Sequence, residues 1–122
     1  MQIDKLRAYC LSKKGALEDF PFDEDTLVFK VMGKMFALVP LEKWESGSPS
    51  INLKCSPDYS DELRASYPSI TSGYHMNKRH WNTLNLKDGE LPTSLVFELV
   101  DHSYDLVVKG MSKKLQQELE NL

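Results

Sequence analysis

Long hydrophobic segments are missing from the sequence. No apolar run approaches the roughly 20 residues that a helix needs to cross a bilayer. The N-terminus also lacks a basic segment followed by an apolar one. We therefore predict a cytoplasmic protein without a membrane partner. The chain has 122 residues, enough for one hydrophobic core, so we predict a single domain over residues 1–122 and expect a monomer.

Cysteine is scarce, and positive charge is not in excess. Cys10 and Cys55 show no CxxC spacing, so we expect buried, reduced side chains rather than a disulfide or a redox pair. The formal net charge is -3, so no global positive field attracts nucleic acid or anionic lipid. Nucleic-acid binding therefore requires a local basic patch.

Catalytic and metal-binding motifs are also absent from the sequence. It has no Gly-rich phosphate loop, HExxH or GxSxG, so we predict no enzyme activity and no cofactor. His75 and His80 have a spacing found in some zinc sites, but no cysteine pair completes such a site, and we predict no metal. Asp101, His102 and Ser103 point about 100° apart on a predicted helix, which excludes a catalytic triad.

The remaining charged candidates have simpler interpretations. On the predicted helix His102 lies between Glu98 and Asp105, whose carboxylates would favour its charged form, so we expect a solvated or salt-bridged residue. The acidic residues within 18–25 lack the Asp/Asn repeat and the glycine of a calcium loop. We predict a solvated acidic loop there.

Hydrophobic periodicity and turn residues predict the first half of the fold. Ile3, Leu6 and Cys10 recur at helical spacing, whereas Pro21 cannot continue a helix. The predicted elements are a helix over 2–13, a loop over 18–23 pinned by Phe20 and Phe22, strands over 27–31 and 35–39 that form a hairpin turning at Gly33, and a strand over 51–54.

The second half begins with Ser56 and Pro57, a good N-cap followed by proline at the first helical position. The predicted elements are a helix from Pro57 that stops at Pro68, a strand over 83–86, a long helix from Pro92 through Lys109, and a short helix over 113–120 that Ser112 caps. The long helix is apolar on two sides, so we expect the sheet on one side and another helix on the other.

The predicted order is α-β-β-β-α-β-α-α, without βαβ alternation. Hairpin connections between the early strands favour antiparallel pairing. We therefore predict an α+β fold, a two-layer structure in which an antiparallel sheet has helices packed on one face.

The densest group of functional side chains lies at residues 73–82. It contains two histidines, a Lys-Arg pair, two amides and two aromatic residues. Cations neutralise phosphates, amides pair with base edges and aromatic rings stack, so this composition suits nucleic acid. The alternative is that Tyr74, Met76 and Trp81 pack inward while Lys78 and Arg79 keep a loop soluble.

On the residues alone, the packing interpretation has the advantage, because two permanent positive charges bind DNA weakly at physiological salt. A binding mode requires further cations near Lys78 and Arg79. The candidates are Lys30, Lys34 and Lys54.

The stretch 73–82 resembles the hallmark motif of the MmcQ/YjbR family of small bacterial proteins. Four more segments match the family pattern in the same order, at 15–22, 29–37, 52–55 and 102–107. Together they span nearly the whole chain. The resemblance implies a CyaY-like, or frataxin-like, α/β fold and a DNA-binding protein with a double-wing arrangement and no enzyme activity.

Frataxins present acids on a helix for iron, but here the acids lie largely in a predicted loop, and fold alone does not give function. The family motif positions that would form a nucleic-acid-binding site are Lys30, Lys34, Asn52, Lys54, His75, Asn77, Lys78, Arg79, His80 and Trp81.

Three hypotheses remain open at this point. The first is a module for double-stranded DNA that uses these lysines and arginine on phosphates, with the histidines, Asn77 and Trp81 near bases or backbone. The second is a pocket for a small anionic ligand or a protein segment, built from the histidines, Asn52 and Arg79. The third is a packed corner that holds the last strand to the long helix.

Overall fold

The computed structural model describes residues 1–73 and 76–122. These residues form five helices and six strands, and the strands make one antiparallel sheet. The elements are α1 Ile3–Leu11, β1 Ala16–Asp19, β2 Thr26–Val31, β3 Lys34–Pro40, α2 Leu41–Glu45, β4 Ser50–Lys54, α3 Pro57–Ser66, β5 Ile70–Ser72, β6 Trp81–Asn85, α4 Thr93–Lys109 and α5 Lys113–Glu120. The predicted α+β class is confirmed, whereas the comparison with the CyaY-like fold stays a prediction.

The strand order in the sheet is β1-β2-β3-β4-β6-β5, and every neighbouring pair is antiparallel. Met32 and Gly33 join β2 to β3 with φ values of 50° and 79°. A two-residue hairpin turn of this kind requires two positive φ values. The hairpin predicted to turn at Gly33 is therefore confirmed.

Three elements were not predicted: β1, α2 and β5. The segment 18–23 was predicted as a loop, but its first two residues belong to β1. This strand lies at the edge of the sheet, where Leu17 is 72% exposed, so it lacks the apolar alternation of a half-buried strand. Phe20 and Phe22 are 45% and 62% exposed. They do not pin the segment, contrary to the prediction.

The main core lies between the helices and one face of the sheet. Phe36 and Val100 are fully buried there, and Phe36 meets the ring of Tyr104 edge-on with centroids 5.4 Å apart. Cys10 and Cys55, at 0% and 3% exposure, are buried and free as predicted. Burial raises the pKa of the Cys10 thiol to about 12, so this cysteine is unreactive.

A buried serine connects α4 to two strands. Ser103 Oγ accepts a hydrogen bond from the backbone N–H of Lys54 at 2.9 Å and donates one to the carbonyl of Phe36 at 2.6 Å. Buried backbone groups outside a ladder need partners of this kind. Ser103 therefore fixes the position of the helix relative to β3 and β4.

The opposite side of α4 packs on α1. Phe97 stacks on Tyr9 with centroids 3.9 Å apart, and the Tyr9 hydroxyl donates to Asp101 Oδ1 at 2.7 Å. These contacts confirm that the long helix is covered by the sheet on one side and by a helix on the other. No helix within the described residues is long and apolar enough to cross a membrane.

Candidate functional site

The β2–β3 turn and the β5–β6 loop lie at the same end of the sheet. Val31 pairs with Lys34 beside the turn, and Lys54 pairs with Trp81 beside the loop. The residues of the predicted site that carry a permanent positive charge all lie at this end, here named the basic end: Lys30, Lys34, Lys54, Lys78 and Arg79. The structure therefore supplies the further cations that the sequence argument required.

The other end of the sheet is named the acidic end. Thr26 pairs with Pro40 there, and Ser50 pairs with Asn85. The segments 23–25, 41–45 and 86–90 continue from these positions and contain seven acidic residues against two lysines. Charge is thus segregated along the strands, and the basic end can have a positive local field in a protein whose net charge is negative.

Asn77 organises the described part of the β5–β6 loop. Its side-chain oxygen accepts from the N–H of Arg79 at 3.0 Å, and its carbonyl accepts from the N–H groups of His80 and Trp81 at 3.1 and 3.0 Å. An asparagine that bonds to the backbone in this way stabilises a tight turn. The turn leaves the side chains of Lys78 and Arg79 exposed.

Arg64 of α3 holds the same loop from the helical side. Its guanidinium donates to Asn82 Oδ1 at 2.8 Å, to the carbonyl of Lys78 at 2.6 Å and to that of Trp81 at 3.3 Å. Asn82 is 1% exposed and donates to Ser60 Oγ at 3.1 Å. Sequence reasoning missed Arg64, because helical periodicity does not show which loop a polar side chain of the helix will reach.

Trp81 and the histidines differ in their surroundings. Trp81 is 9% exposed and packs on the sheet face opposite the helices, in a small cluster with Val28 and Leu38. This burial supports the packing interpretation for Trp81, and its contact with bases stays a prediction. His80 is half-buried in the loop, whereas His75 and Tyr74 lie outside the described residues.

The sheet face opposite the helices, here named the uncovered face, carries a row of polar side chains. Asn52 pairs with Leu38 on one side and with Thr83 on the other, and Thr83 pairs with Thr71. Thr83 Oγ1 donates a hydrogen bond to Asn52 Oδ1. Asn52 is thus oriented on this face, although its predicted role in binding stays untested.

A groove of about 870 Å³ lies over the uncovered face. Its floor and walls combine hydroxyl, amide and apolar side chains from five strands and from the β5–β6 loop. Its lining includes Phe22, Met35, Leu38, Lys43, Thr71 and Met76. Of the predicted site residues, Asn52 and Asn77 line this groove, while Lys34 and Lys54 line a smaller depression of about 270 Å³ beside the end of α4.

The acids at 18–25 are largely exposed, as predicted, although Glu18 and Asp19 belong to β1, and several of them also make specific contacts. Arg7 forms a salt bridge with Glu18 and lowers the pKa of that carboxyl. Asp23 accepts the backbone N–H groups of Asp25 and Thr26 at 2.9 and 2.7 Å, which lowers its pKa. Among the described residues, no group of three or more His, Cys, Asp or Glu side chains is placed to hold a metal ion.

His102 is held in its neutral form, contrary to the expectation of a charged, solvated residue. Its Nε2 accepts the backbone N–H of Ser56 at 3.2 Å, and its ring meets that of Tyr59 edge-on at 5.1 Å. Burial lowers the pKa of His102 and outweighs the opposite effect of Asp105. The prediction rested on carboxylates of the same helix, whereas the packing of Tyr59 from α3 against the ring contributes to its burial.

The sequence has relatives along its full length. The YjbR family model matches residues 11–106. The uncharacterized protein YjbR of Escherichia coli strain K12 is 34% identical over 122 residues, which cover all of both chains. The uncharacterized protein YbdF of Escherichia coli O157:H7 is 38% identical, with 94% of this chain and 96% of YbdF covered.

Solved structures share the fold. The crystal structure of Deinococcus radiodurans protein DR2400, with a DUF419 domain, superposes with a TM-score of 0.87 at 43% identity and covers 98% of this chain and 88% of its own. A crystal structure of a Pseudomonas syringae protein superposes with a TM-score of 0.71 at 32% identity, covering 87% and 98%. The sheet and its helices therefore recur in proteins of related sequence.

Proposed function

The chain belongs to the YjbR family, and we propose that it is a non-enzymatic module that binds double-stranded DNA through the basic end of its sheet. The relatives named above are described as uncharacterized, so family membership adds no activity. The proposal rests on the placement of the charges in this chain.

The observation that carries the proposal is the convergence of five cationic side chains from three separate parts of the chain. Lys30 and Lys34 flank the β2–β3 turn, Lys54 ends β4, and Lys78 and Arg79 lie in the β5–β6 loop. Lys30 is partly neutralised, because its Nζ lies 3.4 Å from Asp19 Oδ2. A cluster of this size supplies the phosphate contacts that dominate the affinity of proteins for DNA.

The two connections also have a suitable separation. In the strand order, the centre of the β2–β3 hairpin and the centre of the β5–β6 hairpin are three strand positions apart. At about 4.8 Å per strand this is about 14 Å, close to the width of the DNA major groove, about 12 Å. The two connections then contact phosphates on either side of one groove, in keeping with the double-wing arrangement that the resemblance implies.

The pocket hypothesis built on the histidines, Asn52 and Arg79 has less support from the geometry. Asn52 lines the groove on the uncovered face, but Arg79 and His80 are not among its lining residues. His75 lies outside the described residues. These four side chains therefore do not form one convergent set within the part of the chain that the structure describes.

Fluorescence anisotropy with a labelled DNA duplex tests the proposal. We expect affinity to fall steeply with salt, with a log–log slope of about −4 to −5, because each phosphate contact contributes about −0.9. The double variant Lys78→Ala/Arg79→Ala should reduce the magnitude of this slope by about 2. The slope becomes smaller because the double variant lacks two of the cations that contact phosphates at the basic end.

The double variant Lys43→Ala/Lys87→Ala is the matched control, because it removes the same charge at the acidic end. We expect it to leave the slope near that of the unmodified protein. Equal effects of the two double variants would show that only net charge matters. Binding that is absent at low salt would overturn the proposed function.

A further inference from the structure

The groove on the uncovered face has the properties of a ligand site that the proposed DNA contacts do not use. Its volume of about 870 Å³ lies within the range of small-molecule sites, about 300–1,000 Å³. The cations of the basic end do not line it, although Asn52 and Asn77 do. A duplex held at the basic end and a small molecule in the groove would therefore have largely separate contacts.

The lining residues define the chemistry of the ligand. Threonine, serine and asparagine side chains supply both donors and acceptors without charge. They line the groove at nine positions, among them Asn52, Thr71, Thr83 and Asn85. Met35, Leu38 and Met76 add an apolar surface. Such a lining suits a flat heterocycle, whose faces are apolar and whose edges form hydrogen bonds.

The rim of the groove contributes an aromatic ring, that of Phe22, and one positively charged side chain, that of Lys43. Phe22 lines the groove with 62% of its surface exposed, so its ring is free to contact a ligand, and aromatic rings stack on nucleobases and similar heterocycles. Lys43 is the charged residue among those that line the groove in the described part of the chain. One ammonium group at the acidic end complements one anionic group on the ligand.

We propose that this groove binds a planar heterocycle that carries a single anionic group, of which a mononucleotide is the representative. The heterocycle lies over Met35, Leu38 and Met76, and its edges bond to the hydroxyl and amide row that includes Asn52 and Thr83. The anionic group contacts Lys43. Binding at this site does not depend on the proposed contacts with DNA.

The probe for the experiment is thymidine monophosphate, titrated into isotope-labelled protein while amide chemical shifts are followed by NMR. We expect saturable shifts at Thr71, Thr83 and Asn85, with smaller changes at the basic end. Thymidine should bind at the same residues but more weakly. Inorganic phosphate alone should not produce these shifts.

Variants separate the groove from other anion sites. Lys43→Ala should weaken binding of the monophosphate about tenfold, in line with the loss of a charge-assisted hydrogen bond, while the matched variant Lys87→Ala should leave it unchanged. Thr71→Trp should abolish binding by filling the groove, at an exposed strand position where tryptophan is tolerated.

Two results would overturn the inference. The first is the absence of saturable shifts at the groove in the unmodified protein. The second is binding that survives Lys43→Ala and Thr71→Trp but is lost in Lys78→Ala/Arg79→Ala, because the phosphate would then occupy the basic end. That second result would leave the proposed DNA-binding function intact.

Discussion

The two faces of the sheet differ in how much apolar surface they bury. The covered face carries the large core, in which Phe36 and Val100 are fully buried and Ser103 joins α4 to the backbone of two strands. The uncovered face has a buried apolar cluster of three residues, Val28, Leu38 and Trp81, and a row of uncharged polar side chains. The core that stabilises the fold and the groove to which we assign ligand binding therefore lie on opposite faces of one sheet.

This separation follows from the period of a β-strand. Successive side chains point to opposite faces, so β4 buries Ile51 and Leu53 against the helices while Asn52 lines the groove on the other side. Substitutions on the two faces should then have unlike effects.

Replacing one phenylalanine on each face of the sheet tests the difference between the faces most directly. Phe36→Ala on the covered face should lower the free energy of unfolding by about 3–5 kcal/mol, because it removes a fully buried ring and leaves a cavity. Phe22→Ala at the rim of the groove should change it by less than about 0.5 kcal/mol, because that ring is already exposed. Chemical denaturation monitored by circular dichroism measures both. Similar losses from the two variants would contradict the division between the faces.

Arg64 connects the covered side to the proposed DNA surface. Arg64→Ala should lower the free energy of unfolding by about 1–3 kcal/mol. The substitution leaves the buried Asn82 oxygen without its donor and releases the carbonyl of Lys78. Amide hydrogen exchange in the described part of the β5–β6 loop should become faster. Arg64→Lys should not restore protection, because an ammonium group cannot donate to several acceptors with the geometry of a guanidinium.

Arg79→Ala is the matched control for Arg64→Ala. Arg79 is exposed, so Arg79→Ala should change the free energy of unfolding by less than about 0.5 kcal/mol. The same substitution should weaken DNA binding. If Arg79→Ala destabilised the fold as much as Arg64→Ala, the distinction between a positioning residue and a surface residue would be lost.

Sequence reasoning predicted the elements whose residues satisfy a strong periodic or capping signal. The β2–β3 hairpin, α4 and α5 fall in this group, and Ser112 Oγ accepts the N–H of Leu115 as the predicted cap of α5. The elements it missed are short or exposed. β5 has three residues, too few for a period to be recognised, and β1 is an edge strand without a buried face.

The candidate site, too, could be predicted from the sequence only in part. The sequence pointed to Lys30, Lys54 and Lys78 through a family motif, but it could not show that they share one end of the sheet, because strand order decides this. The groove was not predicted either. Its lining residues come from distant segments, and most of them are ordinary threonine, serine or asparagine side chains of strands and loops.

The smallest expected effect concerns His102, which links α3 to α4 on the covered side. Burial lowers its pKa in the folded protein, whereas the unfolded chain has the ordinary value of about 6.5. The unfolded state therefore binds more protons as the pH falls through 6.5, so stability should decrease from neutral towards acidic pH. Above the unfolded pKa this contribution is complete and constant.

The difference between the unmodified protein and His102→Gln isolates this effect, because glutamine can still accept the N–H of Ser56 without gaining a proton. We expect the unmodified protein to lose more stability than the variant between neutral and mildly acidic pH. Asp105→Asn should increase that loss, because Asp105 raises the pKa of His102. If His102→Gln and the unmodified protein lost stability in parallel, His102 would have to be as solvated as the side chains of the uncovered face, and the contrast between the two faces would not extend to α4.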